Sequence, residues 1–186
     1  MTTEDSPQWT DDLVVLLDGS RRPVGTAPRA SVHTRDTPLH LAFSCYAFDP
    51  AGRLLATRRA LAKRTWPGVW TNSCCGHPRP GEDPAEAVRR RLGEELGLTA
   101  LTLDVVLPDF AYEATMPDGI RENEVCPVYR ATVDADPVPD PGEVDDWRWV
   151  DWPDFAAAVT RAPWLVSPWA ALQVPLLADG PLWTIG

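Results

Sequence analysis

The segment DPAEAVRRRLGEELG, residues 83–97, contains helix signals at both of its ends. Asp83 suits the N-cap, the proline after it suits the first helical position, and Glu86 stands at the capping-box position. Gly97 suits the left-handed residue that ends a helix. Three apolar residues recur at helical spacing on one side: Val88, Leu92 and Leu96. These signals predict a helix over 84–96 that packs one face against a core.

Most of the remaining chain is typical of strands and turns. Residues 12–18, 39–48 and 53–60 are predicted to be extended, with a hairpin turn at DPAG. The segments 101–115 and 123–133 each predict one further strand. A short strand and two helices follow a proline-rich loop near the C-terminus. With 186 residues and 44% hydrophobic content, the chain is long enough for one core. The pattern predicts a single-domain α/β (α+β) fold, a mixed α/β sandwich.

Composition narrows the class of protein. The net charge of −10 argues against a nucleic-acid or acidic-membrane partner. The acidic start MTTEDSPQWTDD does not resemble a secretory signal, and no apolar run reaches the roughly 18 residues that a membrane span needs. We therefore expect a cytoplasmic protein. The four cysteines are then expected to be free thiols: Cys45, Cys74, Cys75 and Cys126.

A local positive segment stands out in this acidic chain. TRRALAKR contains Arg58, Arg59, Lys63 and Arg64 without an intervening acid, and Lys63 is the single lysine of the sequence. A compact ammonium is not replaced by a guanidinium, so this lysine indicates a specific anion contact rather than a solvated charge run.

The helix lies inside a longer pattern that resembles the Nudix box, the signature of a loop–helix–loop that binds a diphosphate through a divalent metal. Gly76, Glu82, Glu94 and Glu95 fit its spacing. Carboxylates are suitable Mg²⁺ ligands, although arginine–glutamate pairs on an ordinary surface helix would look similar. Arg91 stands where the family usually has glutamate, which predicts a scaffold that binds pyrophosphate without cutting it.

Five further residues could form a metal site. His33, His40 and His77 are the three histidines of the chain, and alternation along a strand would put Glu122 and Glu124 on one face. Imidazoles and carboxylates together suit Zn²⁺, Mn²⁺ or Mg²⁺. A structural zinc site with Cys74, Cys75 and His77 is the weaker alternative, because no second cysteine pair has the required spacing.

Four segments together closely resemble the type 1 isopentenyl-diphosphate Δ-isomerases, a Nudix-fold family: HTRDTPLHLAFSCYAF, TRRALAKRTWPGVWTNSCCGHP, ENEVCPV and SPWA. The resemblance implies a Nudix-like mixed-sheet α/β/α sandwich. It also implies a division into an N-terminal arm and first strand (1–30), a catalytic domain (31–178) and a C-terminal tail (179–186). The implied partner is a small isoprenoid diphosphate, and the implied assembly is a monomer or weak homodimer.

The resemblance also implies roles for individual residues. The metal site maps to His33, His40, His77, Glu122 and Glu124. A diphosphate-linked Mg²⁺ maps to Glu95 with the Cys75 carbonyl. The catalytic groups map to Cys75, Glu124 and Tyr112, and the substrate-binding positions to Arg29, Arg59, Lys63, Arg91 and Trp169.

The implied reaction interconverts isopentenyl and dimethylallyl diphosphate in isoprenoid biosynthesis. Protonation of the alkene gives a tertiary carbocation, and removal of a proton two carbons away completes the shift. We assign protonation to Glu124 with Tyr112, and deprotonation to Cys75, whose pKa is expected to be lowered by nearby positive charge, including that of a metal. Trp169 would offer its ring face to the cation, or would simply be a core residue. Gly76 is expected to be a flexible turn. The alternative function is a Nudix pyrophosphohydrolase acting on a nucleoside or isoprenoid diphosphate.

Overall fold

The computed structural model describes residues 13–178, so the predicted arm up to residue 12 and the tail 179–186 lie outside the described residues. This described part of the chain contains four helices: α1 (Arg29–Val32), α2 (Pro84–Leu96), α3 (Trp152–Arg161) and α4 (Pro168–Ala178). A short 3-10 turn, Pro163–Leu165, precedes α4. No helix within this part of the chain is long and apolar enough to cross a membrane.

Twelve strands form two sheets among the described residues. The strands are β1 (Leu13–Leu17), β2 (Pro23–Pro28), β3 (His40–Leu41), β4 (Phe43–Phe48), β5 (Arg53–Arg59), β6 (Trp70–Thr71), β7 (Cys74–Gly76), β8 (Thr102–Leu107), β9 (Ala111–Thr115), β10 (Arg121–Val125), β11 (Val128–Thr132) and β12 (Val144–Asp151). The smaller sheet has the order β2-β1-β3-β10-β9. The larger sheet has the order β12-β5-β4-β11-β8, with β6 added to β5 and β7 to β4.

The larger sheet lies between two helical layers, which confirms the predicted α/β/α sandwich. Alternate residues of β4 supply its two cores. Phe43, Cys45 and Ala47 pack with the apolar row of α2 on one face. Tyr46 and Phe48 pack with α3 and α4 on the other face. Since successive strand residues point to opposite sides, a continuous apolar run is what a strand covered on both faces requires.

Three predicted strands are wrong in one respect, because each is divided between the two sheets. The chain passes from β3 to β4 at Ala42 and from β10 to β11 at Cys126–Pro127, and the two passages run side by side. Ala42 N donates to Val125 O, and Ser44 N donates to Pro127 O. Prolines at 108 and 127 lack the N–H that would continue a ladder. Hydrophobic alternation alone does not reveal such a change of sheet.

The prediction for α2 is confirmed at both ends. Asp83 Oδ1 accepts hydrogen bonds from the backbone N–H groups of Ala85 and Glu86. Gly97 has φ of 64° and donates to Gly93 O. The helix therefore begins and ends where its local sequence dictates, which sets the position of its charged face beside the cavity described below.

The Asp83 cap gives a direct test of this local control. Asp83→Ala is expected to lower the free energy of unfolding by about 1 kcal/mol, because two N–H groups of the first turn lose their acceptor. Urea denaturation should show a lower midpoint with an unchanged slope. Asp134→Ala, at an exposed loop position, is the control and should change stability by less than about 0.5 kcal/mol.

Candidate active site

A cavity of about 330 Å³ lies where β7, β9, β10 and α4 approach the N-terminal part of α1 and the charged face of α2. Its wall includes predicted catalytic and metal residues together with the aromatic of α4: His33, Cys75, His77, Tyr112, Glu122, Glu124 and Trp169. It also includes the predicted anion-binding side chains: Arg29, Arg59, Lys63 and Arg91. These residues come from seven helices and strands and from the loops that contain His33, Lys63 and His77, and they meet at one site.

The two adjacent cysteines lie on opposite faces of β7. Cys74 is buried in the core that includes α2. Cys75 packs with the second core, against α4, and lines the cavity. All four cysteines are free, as the sequence analysis expected. The strand geometry therefore places the Cys75 thiol, and not that of Cys74, beside the other candidate groups.

Gly76 is not the flexible turn that the sequence suggested. It is the last residue of a short strand, paired with Phe43, and its φ is not positive. A Cβ at this position would lie 2.9 Å from the Phe43 ring and 3.0 Å from Arg91 Cγ. Glycine is required here because there is no room for a side chain between the core and Arg91.

The three histidines converge on one carboxylate. Glu124 Oε1 lies 3.2 Å from His77 Nε2, 3.4 Å from His40 Nε2 and 4.0 Å from His33 Nε2. One ligand atom from each of these four residues falls within 4.8 Å of the others. Glu122 Oε2 lies 2.8 Å from His33 Nε2. Pairing of β3 with β10 places His40 opposite Glu124, although the two residues are 84 positions apart in the sequence.

Several of these atoms are buried without a hydrogen-bond partner, which is the feature expected of metal ligands. They are His33 Nε2, His40 Nε2 and Glu122 Oε2; the close approach of His33 to Glu122 lacks hydrogen-bond geometry. Buried polar atoms are rarely left unpaired, since each costs about 1–3 kcal/mol. A divalent cation at their common centre would satisfy them all, so the donor set fits a metal.

The pKa values of four ionisable side chains in this cluster depart from their ordinary values. Burial opposes protonation of His33, but the carboxylates of Glu122 and Glu124 outweigh it and raise the pKa of His33 to about 9. Burial lowers the pKa of His77 to about 4. Burial would raise the pKa of Glu124, yet the three surrounding histidines hold that pKa well below its usual value. Burial and the charge of Glu124 raise the pKa of Glu122. Such shifts mark functional sites.

Neighbouring groups orient the ligands. His40 Nδ1 lies 2.9 Å from the backbone oxygen of Pro38, which directs Nε2 toward the cluster. Asn123 points away from the two glutamates, as alternation predicted, and its amide donates to Thr37 O. The loop between His33 and His40 is thereby tied to β10.

The Cys75 thiol is held by polar neighbours, but its pKa is not low. Burial raises the pKa of Cys75 to about 11, while Ser44, Asn72 and Arg59 oppose this rise. Arg59 by itself therefore does not outweigh desolvation, and the lowering of this pKa by positive charge that includes a metal stays a prediction. Tyr112 is likewise affected: burial and the charge of Glu124 raise its pKa well above the usual value.

Trp169 is both a core residue and part of the cavity wall. The two roles that the sequence analysis considered for it, a core residue and a ring that faces the substrate cation, therefore do not exclude each other. Its indole Nε1 donates to Asn72 Oδ1 at 2.8 Å. Its ring contacts Trp66 edge-on and lies beside Tyr112, with centroid separations of 5.7 and 6.0 Å. The Arg59 guanidinium lies 5.2 Å from the ring centroid. The ring is thus fixed and already contacts a cation.

Glu143 joins the cations on the α2 side into one network. Its carboxylate pairs with Lys63 and with Arg91, whose Nη2 is 3.1 Å from Glu143 Oε1. Arg91 also pairs with Glu94 and, at i+4, with Glu95 as the helix spacing predicted. Burial raises the pKa of Glu95, and Arg91 and Lys63 oppose this rise. Glu95 is not among the residues that line the cavity, nor does it belong to the group of His33, His40, His77 and Glu124.

Comparison with known proteins places this site in a family. The family model described as "NUDIX domain" matches residues 38–170. A protein of Frankia alni named "Isopentenyl-diphosphate Delta-isomerase" is 66% identical over 164 residues, which cover 88% of this chain and 84% of the relative. A relative of the same name from Clavibacter sepedonicus is 60% identical over 172 residues, covering 92% and 90%. The chain belongs to the Nudix-domain isopentenyl-diphosphate Delta-isomerase family.

Solved structures confirm the fold of this family member. DR0079 from Deinococcus radiodurans superposes with a TM-score of 0.68 at 20% identity, covering 89% of this chain and 98% of that one. MutT protein from Methanosarcina mazei Go1 gives a TM-score of 0.58 at 18% identity, covering 77% and 97%. At these identities the likeness concerns architecture alone.

Several residues of the site were missed by sequence reasoning. Glu143 follows a proline-rich loop, and nothing local indicates that it pairs with two cations. Asn72 is within the segment TRRALAKRTWPGVWTNSCCGHP, yet its contacts with Trp169 and Cys75 depend on tertiary structure. Ser44 had a usable signal, because it is a polar residue in an otherwise apolar strand.

Proposed function

We propose that this family member interconverts isopentenyl diphosphate and dimethylallyl diphosphate, with Cys75 and Glu124 as the two proton-transfer groups. The observation that supports it is one cavity whose wall includes both the Cys75 thiol and the Glu124 carboxylate. A double-bond shift needs a group that gives a proton and another that takes one. A hydrolase needs no thiol, so this pair favours the isomerase over the alternative pyrophosphohydrolase.

The diphosphate would bind at the cationic part of the wall. Arg29, Arg59 and Lys63 line the cavity together with Arg91. Arg59 is held by the backbone oxygens of Thr65 and Trp66, at 3.0 and 3.2 Å, so its guanidinium is pre-positioned. Lys63 and Arg91 are held by Glu143 in the same way. A pre-positioned cation loses little side-chain entropy on binding an anion.

Two divalent metals are part of the proposal. His33, His40, His77, Glu122 and Glu124 would hold the first, which as Mg²⁺, Mn²⁺ or Zn²⁺ would supply positive charge beside the Glu124 carboxyl group. The Glu95 carboxylate and the Cys75 backbone oxygen would hold a Mg²⁺ that accompanies the diphosphate, since hard oxygen ligands suit that ion. Arg91, paired with Glu95 here, is the cation that would turn to the phosphate oxygens.

The chain's own residues would then carry out the proton transfers. Glu124, with Tyr112 opposite it on the paired strand β9, would give a proton to the terminal alkene carbon. Cys75 would accept the proton that leaves the carbon two positions away. The fixed ring of Trp169 would stabilise the intermediate cation by a contact of about 2 kcal/mol when desolvated. Aromatic side chains around the cavity would keep water from trapping that cation.

Arg91 is the specific obstacle to the hydrolase alternative. It stands at a position where the Nudix box has a carboxylate, and it pairs with Glu94, Glu95 and Glu143. The box therefore offers one carboxylate fewer to the several metal ions that would activate water. We further propose that the protein acts in the cytoplasm as a monomer or weak homodimer.

Incubation of the protein with Mg²⁺, Mn²⁺ and isopentenyl diphosphate in D₂O tests the function directly. NMR should show dimethylallyl diphosphate with deuterium in a methyl group, because the transferred proton comes from exchangeable protein groups. Phosphorus NMR of the same sample should show an intact diphosphate. Release of phosphate or pyrophosphate without migration of the double bond would instead support the hydrolase, and unchanged substrate would contradict both.

A further inference from the structure

Ser44 is a fully buried hydroxyl directly opposite Cys75. In the antiparallel pair of β4 and β7, Ser44 is the register partner of Cys75. Opposed residues of such a pair place their side chains on the same face of the sheet. Ser44 Oγ lies 3.6 Å from Cys75 Sγ, within hydrogen-bonding distance for sulfur. The position therefore brings a polar group to the thiol from behind the cavity wall.

A line of buried hydrogen bonds orients the Ser44 hydroxyl. The Tyr46 hydroxyl donates to Gln173 Oε1 at 2.9 Å. Gln173 Nε2 in turn donates to Ser44 Oγ at 3.0 Å. A serine hydroxyl has one hydrogen, and here its oxygen already accepts from Gln173. Two sulfurs are in reach of this hydroxyl, Cys75 Sγ at 3.6 Å and Cys126 Sγ at 3.4 Å; either atom of each pair could be the donor, so the hydroxyl hydrogen can be directed to one of them.

Asn72 also contacts the Cys75 thiol, but its amide is hydrogen-bonded to the backbone as well. Its Nδ2 donates to the backbone oxygens of Cys45 and Cys74 at 3.0 and 2.8 Å, and it also lies within hydrogen-bonding distance of Cys75 Sγ, at 3.3 Å. The Cys75 thiol lies 3.3 Å from Asn72 Oδ1, an acceptor. Within residues 13–178, Ser44 and Asn72 are thus the side chains in hydrogen-bonding contact with this sulfur; the Asn72 amide is shared with two backbone oxygens, whereas Ser44 lies directly opposite the thiol in the strand pair.

Packing alone does not account for these residues. Ser44, Tyr46 and Gln173 are fully buried on the side of the sheet that holds the second core. Apolar side chains of similar size would fill this space without the need to satisfy three polar groups. Each hydrogen bond in the line polarises the next, so the donor at its end is strengthened where the sulfur is.

We propose that Ser44, oriented by Gln173 and Tyr46, is a positioning residue for Cys75. Its hydroxyl donates to the sulfur, directs it toward the substrate and stabilises its negative charge. This inference rests on the proposed function. In the step concerned, the Cys75 sulfur takes a proton from carbon, the C–H electron pair becomes the new double bond, and Ser44 keeps its own proton throughout.

The proposal predicts a change in how the intermediate cation divides between product and starting material. In D₂O, Glu124 supplies a deuteron to the alkene, and the cation either loses a proton to Cys75 or returns to substrate. Ser44→Ala should lower kcat by about tenfold or more, the effect of losing a hydrogen bond to a charged group, and leave KM unchanged. Deuterium in recovered isopentenyl diphosphate should rise relative to product.

Tyr46→Phe is the second test variant of this experiment, and Cys126→Ala is its control. Tyr46→Phe removes only the distant hydroxyl and should shift the same ratio in the same direction by a smaller factor, which keeps the test valid if Ser44→Ala does not fold. Cys126→Ala removes the competing sulfur and should leave the ratio at the wild-type value or lower it. Slower turnover of Ser44→Ala and Tyr46→Phe with an unchanged ratio would overturn the proposal. Absence of turnover in wild type would instead overturn the proposed function.

Discussion

Cys75→Ala is expected to lower kcat for isomerisation by at least about 10³-fold while the protein stays folded. The alanine cannot accept the substrate proton, and general-base catalysis is typically worth 10²- to 10⁴-fold. The side chain lies on the cavity wall, and its hydrogen-bonding neighbours within residues 13–178 are Ser44 and Asn72, so its loss leaves the sheet intact. Steady-state conversion measured by NMR, with circular dichroism as the check on folding, gives the result.

Cys74→Ala is the matched control for this prediction. Cys74 is the adjacent residue of the same strand, and its thiol is buried in the core that contains α2 rather than in the cavity. Its truncation should lower stability by about 1 kcal/mol through a small void, and kcat should remain within a factor of two or three of wild type. Equal losses of activity in the two variants would contradict the assignment of Cys75.

Glu124→Gln is expected to abolish both turnover and tight retention of the first metal. The substitution removes the carboxylate around which three histidines converge. It also removes the group that would give a proton to the alkene. We expect kcat to fall by at least about 10³-fold, since an amide cannot transfer a proton. Metal content by mass spectrometry after gel filtration should fall from about one equivalent to a small fraction.

Glu113→Gln is the corresponding control. Glu113 is exposed on β9, opposite Asn123 in the strand pair, and its carboxylate pairs with Arg121 at the surface. Surface ion pairs contribute about 0–1 kcal/mol, so metal content, kcat and folding should all stay near wild type. Normal turnover by a Glu124→Gln protein that has lost its metal would refute the role of this site in the reaction.

The helix that contributes Arg91 and Glu95 was predictable because its determinants are local. Asp83, Pro84 and Gly97 act on the nearest backbone groups, and the apolar row follows from helical spacing. The same holds for the DPAG hairpin, where Gly52 has φ of 81°. Such signals are read within a few residues and do not depend on the remainder of the chain.

The change of strands between sheets was not predictable because it depends on distant partners. The segments 39–48, 101–115 and 123–133 each have extended character throughout, and local preference does not specify the sheet. Parallel pairing of β3 with β10 and of β4 with β11 makes the division. These pairings also bring His40 to Glu124, so the metal site and the sheet topology have the same origin.

The sequence by itself determined the α2 helix, the sandwich class of the fold and, through resemblance, which side chains to examine. Tertiary structure alone decided that Cys74 and Cys75 lie on opposite faces, that Gly76 is required by lack of space, that Glu143 pairs with Lys63 and Arg91, and that Ser44 contacts Cys75. The physical reason is the distance along the chain over which each interaction acts. Helix caps and turns act over a few residues, whereas burial, strand pairing and pKa values depend on atoms that only folding brings together.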